Sequence, residues 1–191
     1  MRTHARAVVI GGGVVGVSTL YHLAKKGWAD SVLIERKELT SGSTWHAAGL
    51  LPLFNLSYSV GQIHKHSVAL YRTLEQETGL DPGLRQVSNI RLARTRDRMD
   101  EYNYYAGVAE TIGVKVKFLS PSEVREIWPL CIVEGIIGAI QHPEDGYIQP
   151  ADLTQAQSST RFAASRSLQR RTRCECIFSP TQRSFCILHW R

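Results

Sequence analysis

The hydrophobic pattern of the first 35 residues predicts a strand, a helix and a second strand in close succession. A continuous apolar run at residues 6–10 ends in glycines, which is typical of a buried parallel strand. Residues 14–26 place apolar side chains at helical spacing, and two lysines and Gly27 follow at the end. Residues 31–35 are a second short apolar run. Together they predict a right-handed βαβ crossover whose two strands are parallel neighbours.

The pattern further along the chain predicts a mixed α+β region. Helices are expected at residues 61–78 and 97–112, the first with Ile63, Leu70, Tyr71 and Leu74 on its buried face. Strands are expected at residues 87–94, 115–119 and 135–141. The sequence from Ser120 to Glu123 is typical of a capping box and opens a short helix. A last helix begins at Pro150, and its periodicity is lost near residue 157.

Composition and charge change at that point. The formal net charge is +6, and residues 157–191 contain seven of the 23 Lys and Arg residues but only one of the 17 Asp and Glu residues. The body at residues 1–156 is therefore neutral overall, so we expect no nucleic-acid partner and no membrane partner. Residues 157–191 form an atypical basic tail, which we expect to be disordered or the product of a shifted reading frame. Its cysteines are spaced unlike a structural zinc site, and no metal is expected.

The uncharged run at residues 7–24 follows Arg2 and Arg6 and is similar to a signal peptide or a short membrane span. Its three consecutive glycines and its polar interruption favour a strand, a turn and a helix instead. With Cys131 as the one cysteine of the body, the sequence gives no disulfide framework. We therefore expect a cytoplasmic protein, or one of the mitochondrial matrix in a eukaryote, although no transit peptide is recognisable.

Gly11, Gly13 and Gly16 form a G-x-G-x-x-G motif between the first strand and the first helix. In such a motif the first glycine allows a tight turn, the second lets a pyrophosphate approach the backbone, and the third lets helix and strand pack closely. The amides of Val14 and Val15 then lie at a helix N-terminus, which favours anions. The motif predicts a phosphate-binding turn, the alternative being a glycine-rich turn of an unrelated α/β protein.

Glu35 ends the second strand 19 residues after the last glycine of the motif. A carboxylate at this place accepts hydrogen bonds from ribose hydroxyls and disfavours a 2′-phosphate. Motif and carboxylate together predict a dinucleotide site, but they do not distinguish NAD from FAD.

A loop rich in small and hydroxyl side chains runs from Leu39 to Leu50 and leads towards a second helix start. With this loop the sequence resembles the dimethylglycine dehydrogenase and sarcosine dehydrogenase family, FAD-dependent enzymes related to the glycine oxidase and D-amino-acid oxidase group. The resemblance covers about residues 5–156. It is carried by IGGGVVG at 10–16, LIER at 33–36, ELTSGSTWHAAGL at 38–50, IRLA at 90–93 and HPEDGYIQPADLTQA at 142–156.

The resemblance implies an α/β fold with a Rossmann-type FAD-binding βαβ unit and parallel sheet, joined to part of a mixed α+β substrate domain. It implies FAD contacts at the glycine motif and at Val14, Val15, Glu35, Arg36, Gly42, Ser43, Thr44, Trp45, His46, Ala47, Ala48, Gly49 and Leu50. It also implies a covalent bond from His46 to the flavin, since a neutral imidazole nitrogen can attack the 8α-methyl carbon. Position alone would make His46 an ordinary packing histidine. No catalytic residue is assigned.

In enzymes of this family an N-methyl group of a small amino acid loses a hydride to the flavin. Tetrahydrofolate or water then receives the one-carbon unit, and an electron-transfer flavoprotein or oxygen receives the electrons. The resemblance thus implies oxidation of substrates of the dimethylglycine or sarcosine type. Because family members are much longer, we expect the 191 residues to be an N-terminal fragment that is inactive alone.

Three other readings stay open. One is a non-catalytic regulatory subunit of the pyruvate dehydrogenase phosphatase type, which is similar to the same flavoproteins. Another is an NAD-dependent dehydrogenase, against which residues 38–50 argue. The third is a truncated product without function, which is compatible with the fragment interpretation.

Overall fold

The computed structural model describes residues 5–28, 30–159, 174–179 and 182–188, the last two segments as backbone only. Within these residues the helices are α1 (Val14–Lys25), α2 (Tyr58–Thr78), α3 (Arg96–Ile112), α4 (Pro121–Ile127) and α5 (Pro150–Ser158). The strands are β1 (Ala7–Ile10), β2 (Ser31–Glu35), β3 (Leu50–Leu51), β4 (Arg85–Gln86), β5 (Asn89–Ala93), β6 (Lys117–Leu119), β7 (Gly138–His142), β8 (Gly146–Tyr147), β9 (Cys174–Ser179) and β10 (Gln182–Leu188).

The chain divides into two compact units. Unit 1 consists of Met1–Gly49, Thr73–Gly83 and Gln149–Arg191, and unit 2 of Leu50–Arg72 and Leu84–Ile148. None of the helices in the described part of the chain is long and apolar enough to span a membrane.

Unit 1 contains the βαβ crossover that the hydrophobic pattern predicts. β1 and β2 pair in parallel, with Ala7 opposite Ser31 and Ile10 opposite Ile34, which confirms the two strands as parallel neighbours. α1 packs on these strands and against α5. Leu33 of β2 and Val17 of α1 are buried, whereas Val8 and Ile10 on the other face of β1 are 53% and 73% exposed.

The second edge of β2 pairs with β10, which is antiparallel to it and places Leu188 opposite Leu33. β9 pairs with β10 in turn, so the sheet order is β1-β2-β10-β9. The sequence predicts a disordered or frame-shifted tail at residues 157–191, and this stays a prediction. In the structure α5 continues to Ser158, and two strands of the tail join the sheet through their backbones; residues 160–173, 180, 181 and 189–191 lie outside the described part.

Unit 2 is built on two small antiparallel sheets. One has the order β5-β7-β6, and the other, made of two-residue strands, has the order β3-β8-β4. α3 supplies Tyr102, Tyr105, Ala109 and Ile112 to a core that also contains Leu53, Val68, Ala93, Val114 and Ile140. α4 begins with the expected capping box: Ser120 accepts from the amide of Glu123, whose carboxylate accepts from the amide of Ser120.

Two expectations about unit 2 are wrong in detail. Leu74 is buried as expected, but Ile63 is 64% exposed and does not lie on the buried face of α2, where Val68 and Gly61 are also buried. The strands β3, β4 and β8 are not predicted, because two residues are too few to show an alternating pattern.

Candidate dinucleotide site

The turn between β1 and α1 has the backbone that only glycines provide. Gly11 has a φ of 110°, a conformation that side chains with a Cβ rarely adopt. A Cβ on Gly16 would lie 2.0 Å from the carbonyl oxygen of Gly11, so α1 approaches the turn as closely as the motif predicts. These two positions have the geometry expected for the first and third glycines of a dinucleotide motif.

A cleft of about 550 Å³ opens beside this turn, within unit 1. Ten of the residues expected to contact a cofactor line it: Gly11, Gly13, Val14, Val15, Gly16, Glu35, Arg36, Gly42, Ser43 and Thr44. The cleft is thus formed by the N-terminal turn of a helix, the carboxyl end of a strand and a loop rich in hydroxyls. That arrangement suits a phosphorylated nucleotide, because first-turn amides lack acceptors within the helix.

The carboxylate of Glu35 is held in place by backbone amides. Its Oε2 accepts from the amide of Gly12 at 2.6 Å, and its Oε1 accepts from the amide of Lys37 at 2.9 Å. Each carboxylate oxygen has a further lone pair, so both can still accept from a hydroxyl group in the cleft. An ionised carboxylate donates no hydrogen bond and repels anions. It can therefore accept hydrogen bonds from a ribose diol, whereas a 2′-phosphate would be repelled.

The sequence predicts that the amide of Val14 faces a phosphate, but the structure gives it a different partner. It donates to the hydroxyl Oγ1 of Thr44 at 2.9 Å, across 30 residues of sequence. Gly13 precedes the helix as its N-cap and has no side chain to perform this role. Thr44, only 7% exposed, therefore caps α1 from the neighbouring loop.

The loop from Leu39 to His46 forms consecutive turns and not the start of a second helix. Trp45 donates its amide to the carbonyl of Thr40 at 3.1 Å, and His46 donates its amide to the carbonyl of Ser43 at 3.1 Å. Residues 47–49, between the turns and β3, have no regular secondary structure, and Gly49 has a φ of 72°. A helix is therefore not continued through this segment.

The remaining expected contact residues do not line the cleft. These are Trp45, His46, Ala47, Ala48, Gly49 and Leu50. The side chain of His46 is exposed, and its ring lies 6.4 Å from the ring of Trp45. His46 thus lies at the end of the loop whose earlier residues line the cleft, and its side chain is exposed.

Five lining residues were not expected from the sequence: Val9, Ile10, Thr19, Lys37 and Ser41. Thr19 follows Val15 by one helical turn and donates its hydroxyl to the Val15 carbonyl at 2.8 Å. Helical spacing from the glycine motif could have indicated Thr19. Lys37 and Ser41 flank residues that were expected, and they have no signal of their own.

A second group of polar side chains is buried in unit 2. His142 is fully buried, and neither ring nitrogen has a hydrogen-bond partner; Oδ2 of Asp145 and Nε of Arg91 are likewise buried and without a partner. Asp145 accepts the amide of Leu53 at its other oxygen, at 2.9 Å. The Arg91 guanidinium stacks 4.2 Å from the centre of the Phe54 ring. The polar atoms are enclosed by aromatic rings, because Tyr105 and Phe54 both contact His142.

Burial shifts the ionisation of this group. Burial, and to a smaller extent the positive charge of Arg91, lowers the pKa of His142 to about 4. Burial raises the pKa of Asp145 to about 6, although the Leu53 amide and Arg91 both act to lower it. His142 is thus neutral at neutral pH, whereas Asp145 remains largely ionised there.

Known proteins are similar in sequence to most of this chain. Rat mitochondrial dimethylglycine dehydrogenase is 43% identical over 155 residues, which are 81% of this chain and 18% of that protein. Human mitochondrial sarcosine dehydrogenase is 40% identical over 166 residues, or 86% of this chain and 18% of that protein. The mouse mitochondrial regulatory subunit of pyruvate dehydrogenase phosphatase is 37% identical over 155 residues, with 81% and 18% covered. The chain therefore spans about a fifth of the length of these relatives.

Solved structures share the fold as well. L-proline dehydrogenase from P. horikoshii superposes with a TM-score of 0.76 at 28% identity, over 83% of this chain and 41% of that one. The family model described as FAD dependent oxidoreductase matches residues 6–176, which include the glycine motif, Glu35 and the whole loop up to Leu50. This chain belongs to the family of FAD-dependent oxidoreductases.

Proposed function

We propose that unit 1 binds FAD and that the protein is the N-terminal part of an enzyme that oxidises N-methyl groups of small amino acids. The observation that carries the proposal is the cleft itself, where a helix N-terminus, a fixed carboxylate and a hydroxyl-rich loop meet. Relatives named dimethylglycine dehydrogenase and sarcosine dehydrogenase support the substrate class. Because the dimethylglycine dehydrogenase, sarcosine dehydrogenase and phosphatase regulatory subunit that resemble this chain are mitochondrial, we propose the mitochondrial matrix for a eukaryotic source.

In this proposal, different residues of unit 1 bind different parts of the cofactor. The first-turn amides of α1 other than that of Val14, which donates to Thr44, hold the pyrophosphate, where the helix dipole favours negative charge. Glu35 holds the ribose diol of the adenosine, because Gly12 and Lys37 fix its orientation. Bound FAD supplies the acceptor for a hydride from the carbon next to the substrate nitrogen.

We further propose that His46 forms the covalent bond to the flavin. Its exposed imidazole stands at the end of the loop that lines the cleft, so a nitrogen nucleophile is available without a buried neighbour having to move. The bond would retain the cofactor through catalytic cycles. Tetrahydrofolate and an electron-transfer flavoprotein are the proposed partners of the longer protein, and we propose that the 191 residues alone do not turn over substrate.

A regulatory protein of the pyruvate dehydrogenase phosphatase type is the second candidate, and the 37% identity to that subunit favours it. The two candidates differ in flavin content. An enzyme that carries this N-terminus will be yellow and keep its flavin after acid precipitation, whereas a protein that acts only through contacts will be colourless.

The binding proposal is tested with ADP on the purified chain. We expect Glu35→Ala to weaken ADP binding by about ten- to hundredfold, since a lost hydrogen bond to a charged group costs about 1.5–3 kcal/mol. Wild type should prefer ADP to 2′-phospho-ADP, and Glu35→Ala should lose that preference. Glu38→Ala, which removes an exposed carboxylate from the same loop, is the matched control. Calorimetry that finds equal affinity of wild type for both nucleotides would contradict the role of Glu35.

The covalent proposal is tested in a longer protein that carries this N-terminus. Flavin absorbance should stay with the precipitated wild-type protein after acid treatment. His46→Ala should release it to the supernatant, because a methyl side chain has no nucleophilic nitrogen. His64→Ala removes a histidine elsewhere and is the control. Acid-stable flavin in His46→Ala would mean that another residue forms the bond.

A further inference from the structure

The loop that carries His46 is attached to the glycine turn by two hydrogen bonds. Thr40 donates its amide to the carbonyl of Gly12 at 3.0 Å, and the Thr44 hydroxyl accepts the amide of Val14 at 2.9 Å. Inside the loop, the amides of Trp45 and Ala47 donate to the carbonyls of Thr40 and Thr44. The loop therefore holds together as a series of turns, and its position relative to α1 depends on these two attachments.

The Thr44 hydroxyl occupies the space beside Gly13. A Cβ placed on Gly13 would lie 2.9 Å from Oγ1 of Thr44, closer than such atoms approach in proteins. Gly13 is thus the residue whose missing side chain admits the hydroxyl. The contact uses atoms of the chain alone, so it does not require a cofactor. In a dinucleotide motif the second glycine is normally explained by the approach of the pyrophosphate.

We propose that Thr44 is a positioning residue that fixes the His46 loop to the N-terminus of α1, and that Gly13 is a glycine because the Thr44 hydroxyl must fit beside it. The hydroxyl accepts from Val14 and retains its own hydrogen as a donor. Because Thr44 lines the cleft, we infer that this hydrogen is available to an anion bound there. This last step, and the link to His46 as flavin attachment site, rest on the proposed function; the attachment of the loop does not.

The proposal is tested by hydrogen exchange on the chain without nucleotide. In Thr44→Val the amides of Val14, His46 and Ala47 should exchange about tenfold faster, since an intramolecular hydrogen bond contributes about a factor of ten in equilibrium. Thr44→Ser should behave as wild type, because it keeps the hydroxyl and loses only a methyl group. Equal exchange in the Val and Ser variants would overturn the role of Thr44.

Gly13→Ala supplies the second test. It should raise exchange of the same amides about tenfold in wild type but less than about threefold in Thr44→Ala, where no hydroxyl is present to be displaced. Gly42→Ala is the matched control in the same loop, since a Cβ there would meet no atom within 4 Å. If Gly13→Ala has the same effect in both backgrounds, the pairing of Gly13 with Thr44 is wrong.

ADP affinity separates this proposal from the proposed function. We expect Thr44→Val to bind ADP about tenfold more weakly than wild type and Thr44→Ser to be restored to within about threefold. ADP binding as tight in Thr44→Val as in wild type would overturn the donor role. A wild type that binds no ADP would contradict the proposed function, while the exchange results would still decide whether Thr44 holds the loop.

Discussion

His142 and Asp145 respond to acid in opposite directions, although they lie in the same buried group. The folded-state pKa of His142 is about 4, below its ordinary value of 6.5, so the unfolded chain binds a proton first as the pH falls. Stability from neutral His142 is therefore lost between about pH 6.5 and 4. The folded-state pKa of Asp145 is about 6, above its ordinary 3.8, so the folded chain binds a proton first and gains stability from about pH 6 downwards.

We predict that single substitutions separate these opposite effects. Between pH 7 and pH 5, the failure of buried His142 to take up a proton lowers the free energy of unfolding by about 2 kcal/mol. Protonation of buried Asp145 raises it by about 1 kcal/mol over the same interval. His142→Leu should therefore gain about 2 kcal/mol relative to wild type over this interval. Asp145→Asn should lose about 1 kcal/mol relative to wild type, while its amide oxygen can still accept from Leu53.

Urea unfolding of the three proteins at both pH values measures the difference. The control is His66→Leu, which removes an exposed histidine from α2. Parallel pH profiles of wild type and His142→Leu would show that His142 is protonated normally in the folded protein, and the buried arrangement would then be wrong.

Two helical glycines in unit 2 should respond oppositely to the same substitution. A Cβ on Gly61 of α2 would lie 2.4 Å from Cδ1 of the buried Ile112, whereas a Cβ on Gly107 of α3 would meet no atom within 4 Å. Gly107→Ala should raise the free energy of unfolding by about 0.5–1 kcal/mol through helix propensity. Gly61→Ala should lower it by about 1–2 kcal/mol through overpacking.

Thermal and chemical unfolding of both variants checks this prediction, and each variant serves as the control of the other. A stabilised Gly61→Ala would mean that Ile112 can move aside at no cost. A destabilised Gly107→Ala would mean that α3 has a neighbour at that position.

Elements with a strong local signal could be predicted from the sequence. β2 has the expected bounds, and α1 begins at Val14 as expected, because a glycine turn and an apolar run define their ends locally. The capping box at Ser120 is likewise contained within four residues. The ten cleft residues that were expected lie near these same signals, at the glycine motif, at Glu35 and in the loop that follows.

What could not be predicted depends on contacts between distant parts of the chain. The hydrogen bond from Val14 to Thr44 joins residues 30 positions apart, and no local pattern indicates it. His142 lies in a polar segment that is typical of a surface turn, but pairing with β5 places it in the core. Ile63 is the converse, an apolar residue whose exposure depends on which side of α2 packs on the core of unit 2.

At the scale of the whole molecule, the two strands of the tail extend the sheet of unit 1 beyond β2. β10 pairs with the edge of β2 that does not face β1, opposite Leu33, Ile34 and Glu35. We predict that a chain ending at Ser159 exchanges the amides of β2 faster than the full chain, because this edge then faces water. Amides of α3 in unit 2 provide the internal control and should not change.

Hydrogen exchange followed by mass spectrometry would measure both regions in one experiment. Unchanged exchange in β2 would mean that the tail does not stay on this edge in solution, as expected from its composition.

The exposed face of β1 has a consequence for the behaviour of the protein at high concentration. Val8 and Ile10 present two β-branched side chains to water, and β1 ends the strand order of its sheet in the described part of the chain. Strands of this kind attract a second strand from another molecule and are natural starting points for aggregation. Light scattering should therefore rise steeply with concentration, and Val8→Lys, a charge at a sheet border, should raise the solubility limit.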